Sequence, residues 1–326
     1  MNASRIVLRR ACACLLAAYA GQTAAQQTYP IRPIRFIIPF PPGGSTDPVG
    51  RYVASKLTDR LGQQMIVDNR PGGNTVIGVE AASRATPDGY TLLWVGATQF
   101  SLPSLIPNLP FSLTRDFAGV GTIGKSRVVL VVHPSVPAQT VQELVALAKA
   151  KPGDIKFGSS GFGSNPHLHG ELFRLTTGID IRHIPYKGSG PLSNDLLGGR
   201  VEIAFQVPIT VISFVNGGKL RALALTGEQR LAPLPQVPTF NEVGLQNFGM
   251  RGITGIVAPA KTPRPVLDKL SRELAAVMTS PDAADYMAKQ GAEPFVNDAA
   301  QTDVILREEV SRYAKLIKDA GIKFQP

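Results

Sequence analysis

Short apolar runs alternate with amphipathic runs through most of the chain. The apolar runs are "IRFIIPF", "MIVDN", "YTLLWVG", "VVLVVH", "IKFGS", "DIRHIPY", "VEIAFQ", "LRALALT" and "GITGIVAP", each rich in β-branched or aromatic residues and most bounded by turn formers. Segments of helical period lie between them. "TVQELVALAKAKPGD" opens with Thr140 and Glu143 at capping-box spacing and closes at Pro152-Gly153, and "TFNEVG" repeats the device with Thr239, Glu242 and Gly244. Beyond residue 262 the texture changes to three consecutive amphipathic helices, "PRPVLDKLSRELAAVM", "PDAADYMAKQ" and "AAQTDVILREEVSRYAKLIKDA". They predict a helical tail packed on one lobe.

Strands alternating with helices predict an α/β protein, and 326 residues exceed one ordinary core. The expected architecture is two lobes, each a mostly parallel sheet flanked by helices. Residues 26–124 with 229–326 form one lobe and 125–228 the other. The outward link falls near "AGVGTIGKSRV", and the proline-rich "APLPQVPTFNEVG" brings the chain back. Two crossings make a hinge.

The first 25 residues predict a targeting segment. Arg5, Arg9 and Arg10 precede the apolar run "ACACLLAAYA", and Thr23 and Ala25 offer small residues for cleavage near Ala25. The run is too short to span a bilayer, and the apolar residues expected after a twin-arginine pair are absent. Cys12 and Cys14 are the chain's two cysteines and both lie inside the segment, so a cleaved chain has no thiol, disulfide or cysteine metal ligand. Losing the three arginines takes the formal charge from +10 to +7. Lys and Arg are scattered instead of clustered, which suits a small anionic ligand or a solvated surface and argues against nucleic acid.

Four loops between a strand and a helix are candidates for chemistry. In "FIIPFPPGGSTDPV", Phe40, Pro42, Gly43 and Gly44 lead to Ser45 and Thr46, either of which can cap a helix burying Val49, Tyr52, Val53 and Leu57. In "IKFGSSGFGSNPHLHGELF", Gly161 and Gly163 lie among Ser159, Ser160, Ser164 and Asn165, which supply hydroxyl and amide partners. Bare glycine backbone and the open N–H groups of a helix start make each loop an anion seat. "YKGSGP", with Tyr186 and Gly188, and "VGATQF", with Thr98 and Gln99, are the other two, since ligands of open α/β sheets sit beyond the strands' carboxyl ends. Asp47 reads either as a helix-start carboxylate favoured by the dipole or as a group turned into the cleft to accept from ammonium, hydroxyl or water.

Other chemistries fail on the residues. "GSSGFG" is neither a Walker loop nor the dinucleotide fingerprint, and no G-x-S-x-G elbow occurs. His167 and His169, two apart on a helix, point to different faces and do not readily share a metal. His167 is expected instead to donate a hydrogen bond to loop or ligand. Tyr186 and Lys187 lack the paired carboxylates or activated nucleophile of acid–base or Schiff-base catalysis, so Lys187 is expected in a structural or interlobe contact.

Taken together, "YPIRPIRFIIPFPPGGSTD", "DNRPGGN", "TPDGYTLL", "HPSVPAQTVQELVALAKAKPG", "SSGFGSNPHLHGELF", "IPYKGSGP", "DLLGGRVEIAF", "GKLRALALT", "LPQVPTFNEVG", "VAPAKTP" and "IKDAGIK" give the chain a resemblance, nearly end to end. It resembles the periplasmic substrate-binding proteins of tripartite tricarboxylate transporters, the Bug family. The resemblance implies a two-lobed, type II-like binding protein that captures a small carboxylate and hands it to two membrane subunits. It further implies a monomer in the periplasm, with no enzymatic activity, cofactor or metal. The two glycine-rich loops are implied to grip a carboxylate through main-chain N–H groups and water. Here they correspond to Phe40 through Asp47 and Ser159 through His167. Gln206 stands where an aspartate is frequent and Ile253 where tryptophan is common, so ligand identity does not carry over. An exported α/β enzyme using the same cleft, or a sensor lobe for a membrane signalling partner, are the alternatives.

Overall fold

The computed structural model of the protein describes residues 29–322, and the targeting segment expected over residues 1–25 lies outside them. The chain runs β1 (Ile34–Ile38), α1 (Thr46–Leu61), β2 (Met65–Asn69), α2 (Val76–Ser83), β3 (Thr91–Val95), α3 (Ala97–Leu105) and β4 (Phe117–Ser126). Then come β5 (Val129–Val132), α4 (Val141–Ala150), β6 (Lys156–Ser159), α5 (Asn165–Thr177), β7 (Arg182–Pro185), α6 (Ser189–Leu197), β8 (Ile203–Gln206), α7 (Ile212–Asn216) and β9 (Arg221–Leu225). It ends with β10 (Ile253–Pro259), α8 (Arg264–Met278), α9 (Pro281–Lys289), β11 (Ala292–Pro294) and α10 (Ala299–Asp319).

Two sheets form, ordered β11-β4-β10-β3-β1-β2 and β7-β6-β8-β5-β9. In the first, β10 and β11 run against the other four strands, and in the second only β5 is reversed. The reversed β5 and β10 are the strands by which the chain enters the second lobe and returns to the first. Alternation along the strands sorts side chains to the two faces of each sheet. Phe36, Ile38 and Trp94 pack under α1 and α8, whereas Ile37, Leu93 and Val95 pack under α3 and α10. Leu130, Val132 and Phe205 face α4 and α5, and Val129, Val131 and Ala204 face α6.

The outward link is shorter than expected. "FAGVGTIGKS" is strand β4, leaving Arg127 and Val128 between the sheets. The sequence reading ends the second lobe at residue 228, yet Phe240 and Phe248 lie in that lobe's core beside Phe173 and Phe205. A strandless return segment buries its aromatic side chains in the nearest apolar face. "TFNEVG" closes its reciprocal bonds, Glu242 N to Thr239 Oγ1 at 3.2 Å and Thr239 N to Glu242 Oε2 at 2.6 Å, around a turn instead of a helix.

Candidate functional site

A cavity of about 190 Å³ lies between the lobes, and all four loops singled out in the sequence reach its wall. The first loop contributes Phe40, Pro42, Gly43, Gly44, Ser45 and Thr46, and the α3 start contributes Gly96, Ala97, Thr98 and Gln99. From the facing lobe come Ser160, Ser164 and Asn165 at α5, and Lys187, Gly188, Ser189 and Gly190 at α6. Four helix N-termini, two from each sheet, therefore point their unbonded first-turn region at one space.

The four starts differ in how many donors remain open. At α1 the N-cap Ser45 makes no side-chain cap. The N–H groups of Gly44, Ser45 and Thr46 have no protein acceptor, while that of Asp47 reaches Gly44 O at 3.3 Å. At α3, Gly96 N–H is taken by Gln99 Oε1 at 2.9 Å, and Ala97 and Thr98 stay open. At α6, Gly188 N–H bonds Ser160 O at 3.2 Å, and Ser189 and Gly190 stay open.

The α5 loop is different, because its own side chains occupy most of its donors. Ser159 Oγ accepts from Gly161 N at 3.2 Å, His167 Nδ1 accepts from Gly163 N at 3.0 Å, and Ser164 Oγ accepts from His167 N at 3.3 Å. Ser160 and Asn165 keep unpartnered backbone N–H groups. The α5 and α6 starts thus each keep two open N–H groups, and the α1 loop keeps three.

Seven residues named from the sequence stand behind the wall instead of in it: Asp47, Ser159, Gly161, Gly163, His167, Tyr186 and Gln206. Asp47 is nearly buried and holds the first loop in shape. Its Oδ2 accepts from Gly43 N at 3.1 Å and Arg51 Nε at 2.9 Å, and its Oδ1 accepts from Asn69 Nδ2 at 3.1 Å. Burial disfavours its charge, but Arg51, Gly43 and Asn69 outweigh burial and hold the carboxyl below its usual range. His167 accepts from the loop where donation was expected, and it stacks on His183 at 4.0 Å. Burial, with His183 beside it, pushes His167 well below an ordinary histidine, and burial pushes His183 down to about 4. Tyr186 turns its hydroxyl to Asp195 at 2.8 Å. Gln206 is fully buried, with Oε1 accepting from Thr210 and Nε2 unpartnered. Gln99, though in the wall, has spent its amide on Gly96 and on Thr75 Oγ1 at 3.0 Å.

Ser159 Oγ lies 2.7 Å from His183 Nε2, a spacing that a nucleophile and base share, but Ser159 is fully buried and outside the wall. No cluster of three metal-binding side chains occurs among the described residues. Among the described lining residues the ionisable ones are Lys125 and Lys187. Lys125 Nζ rests 3.9 Å over the Phe295 ring. Sequence reasoning missed Lys125 because it sat in the supposed linker, and it assigned Lys187 to a contact instead of the wall. The lobes touch on both rims. Asn74 Nδ2 donates to Phe162 O at 3.0 Å, Ser101 Oγ to Gly163 O at 3.1 Å, and Ser189 Oγ to Ser45 Oγ at 3.4 Å.

The sequence matches the model of the tripartite tricarboxylate transporter family receptor over residues 49–322. The chain belongs to that family. Among relatives of this receptor, it is 38% identical to Protein BugT of Bordetella pertussis over 303 residues, covering 91% of this chain and 92% of that one. The structure of Rpa4515 of R. palustris with adipate superposes with a TM-score of 0.86 at 30% identity, covering 91% of this chain and all of that one. MatC from Rhodopseudomonas palustris with bound malate gives 0.80 at 25% identity, over 89% and 100%. The two-lobed α/β fold is thus that of periplasmic substrate-binding proteins of the Bug type. No helix among the described residues is long and apolar enough to cross a membrane.

Proposed function

We propose that this receptor captures a small carboxylate in the interlobe cavity and presents it to the membrane subunits of a tripartite tricarboxylate transporter. It acts as an exported monomer, cleaved near Ala25, without catalysis. One observation carries the reading: helix starts from both lobes turn unpartnered N–H groups into one cavity whose ionisable wall groups are lysines. Such a wall favours an anion, and carboxylate-bound relatives of the same fold support that class. Each charge-assisted hydrogen bond contributes about 1.5–3 kcal/mol, so a handful reach the roughly −8 kcal/mol of a micromolar complex.

In this reading the carboxylate bridges Gly44 to Thr46 on one lobe and Ser189 to Gly190 on the other, with Thr98 at its side. Both halves are needed, so the ligand favours the closed arrangement in proportion to the donors each half adds. A thermal-shift screen of mono-, di-, tri- and aromatic carboxylates against matched amines and neutral amides tests the class. Saturating millimolar carboxylate is expected to raise the melting temperature by several degrees at low-micromolar affinity. Stabilisation by amines and not by acids overturns the reading. Turnover of a bound acid to product, in place of stoichiometric capture, favours an exported enzyme.

A further inference from the structure

We infer that Leu168 is a positioning residue for capture: a side chain of the second lobe seated in the core of the first, it holds the ligand-free receptor closed. The inference concerns the motion of the lobes and stands whichever small molecule the cavity takes. α5 belongs to the second lobe. Its backbone packs on β6, β7 and β8, and His169 and Phe173, one turn apart, join that lobe's aromatic cluster with ring centroids 6.3 and 5.6 Å from Phe205. Leu168 goes elsewhere. It is fully buried, and it lies in the apolar cluster that holds Phe100, Leu105, Tyr313 and Ile317 of the first lobe. Among the described residues no other buried member of that cluster comes from the second lobe. The ends of the helix lean the same way. A Cβ at Gly163, just before α5, would stand 2.6 Å from Leu105 Cδ1, and Arg174 Nη2 near the far end donates to Ala320 O at 3.3 Å.

Magnitudes rank these contacts. The rim hydrogen bonds, Asn74 to Phe162 O, Ser101 to Gly163 O and Ser189 to Ser45, join neutral groups that water serves nearly as well, so each favours closure by about two- to tenfold. Turning a leucine side chain out of apolar surroundings shifts a balance by about tenfold to a hundredfold. Rotation of the lobes as rigid bodies carries α5 with the second sheet, to which His169 and Phe173 bind it, and draws Leu168 out of its socket. Leu168 therefore contributes more to closure than any one rim bond, and it does so from outside the cavity wall. A ligand then meets halves that are already aligned, and its apparent affinity falls in step with the closed fraction when Leu168 is truncated.

The test is X-ray scattering of the purified, ligand-free full chain, beside thermal melts. The native chain is expected to scatter as the closed structure does. Leu168→Ala is expected to lower the closed-to-open ratio by about tenfold or more and to enlarge the radius of gyration, whereas Leu168→Met, of similar volume, keeps the native radius. Leu144→Ala truncates a fully buried leucine of the second lobe's own core and is expected to lower the melting temperature without changing the radius. Leu168→Val takes the place of Leu168→Ala in this comparison where the alanine variant does not fold. A native chain that scatters as an open form, a radius unchanged on truncating Leu168, or an equal expansion in Leu144→Ala overturns the inference. No ligand enters the measurement, so each of these outcomes leaves the carboxylate reading standing.

Discussion

Asp47 shows how a residue can matter to a site without touching what the site holds. A carboxylate in the first helical turn is read from sequence as a dipole partner or a ligand contact. Here it accepts three hydrogen bonds that fix Gly43 and the strand-end Asn69 around it. Asp47→Ala is therefore expected to destabilise the protein by about 1–3 kcal/mol and to weaken hydroxy, amino and plain carboxylates by similar factors. Calorimetry across the three classes checks this, and a loss confined to amino acids would return Asp47 to the cavity. The histidines give a pH signature. His169 donates from Nδ1 to Asn165 O and accepts at Nε2 from Met250 N at 3.2 Å, so it is held neutral, and burial lowers it to about 4. Its folded value lies below the unfolded 6.5, as does that of His183. The unfolded chain thus binds more protons between those values, and stability falls as pH drops from about 6.5 toward 4. Thermal melts across that range should show the decline. The ring resonances of His183 should stay in their neutral position at pH 5.5.

At the scale of elements, the nine apolar runs all became strands because β-branched alternation between turn formers leaves little choice. The two strands that escaped show what masks the pattern. In β4, Gly119, Gly121 and Gly124 break the apolar run and made it look like a linker. A Cβ at Gly119 would stand 2.6 Å from Ala299 O, and one at Gly124 would stand 2.6 Å from Glu293 O. Glycine is there so that α10 can press on the sheet and β11 can pair closely along its edge, a tertiary demand that no local reading contains. β11 has three residues and owes its pairing to β4. The four loops were legible because glycine and proline between strand and helix have few other uses. Which of their N–H groups are open was not, since that depends on where Ser159 and His167 turn their side chains. Gly44 and Gly163 separate the two cases. Gly44 has room for a Cβ, 3.5 Å from Pro41 O, so Gly44→Leu should fold and lose at least about tenfold in affinity by filling the cavity mouth. At Gly163, φ is +66° and a Cβ would stand 2.0 Å from Ser101 Oγ, so Gly163→Ala should cost stability and part the lobes. Circular-dichroism melts beside ligand titration distinguish the outcomes.

At the scale of the molecule, rim contacts and cavity belong to one equilibrium. Ser101 joins the lobes through its hydrogen bond to Gly163 O. Ser101→Ala is expected to shift the ligand-free chain toward an open form, with a larger radius of gyration by X-ray scattering, and to weaken ligand by a few fold. An unchanged radius would mean that contact has no say in closure. The two-lobe plan followed from length and strand–helix alternation. The true boundary of the return segment did not, because Phe240 and Phe248 choose their lobe by which apolar face is nearest.

The two crossings are not independent threads. Ser126 N and Oγ both donate to Gly252 O, at 3.0 and 3.3 Å, and Gly252 sits at φ +58° with Ser126 O where a Cβ would go. Outgoing and incoming chain are stitched into one narrow strap along a single edge. Two crossings joined in this way give the lobes one shared axis, so opening is expected to widen the cavity on the side away from Ser126 and Gly252.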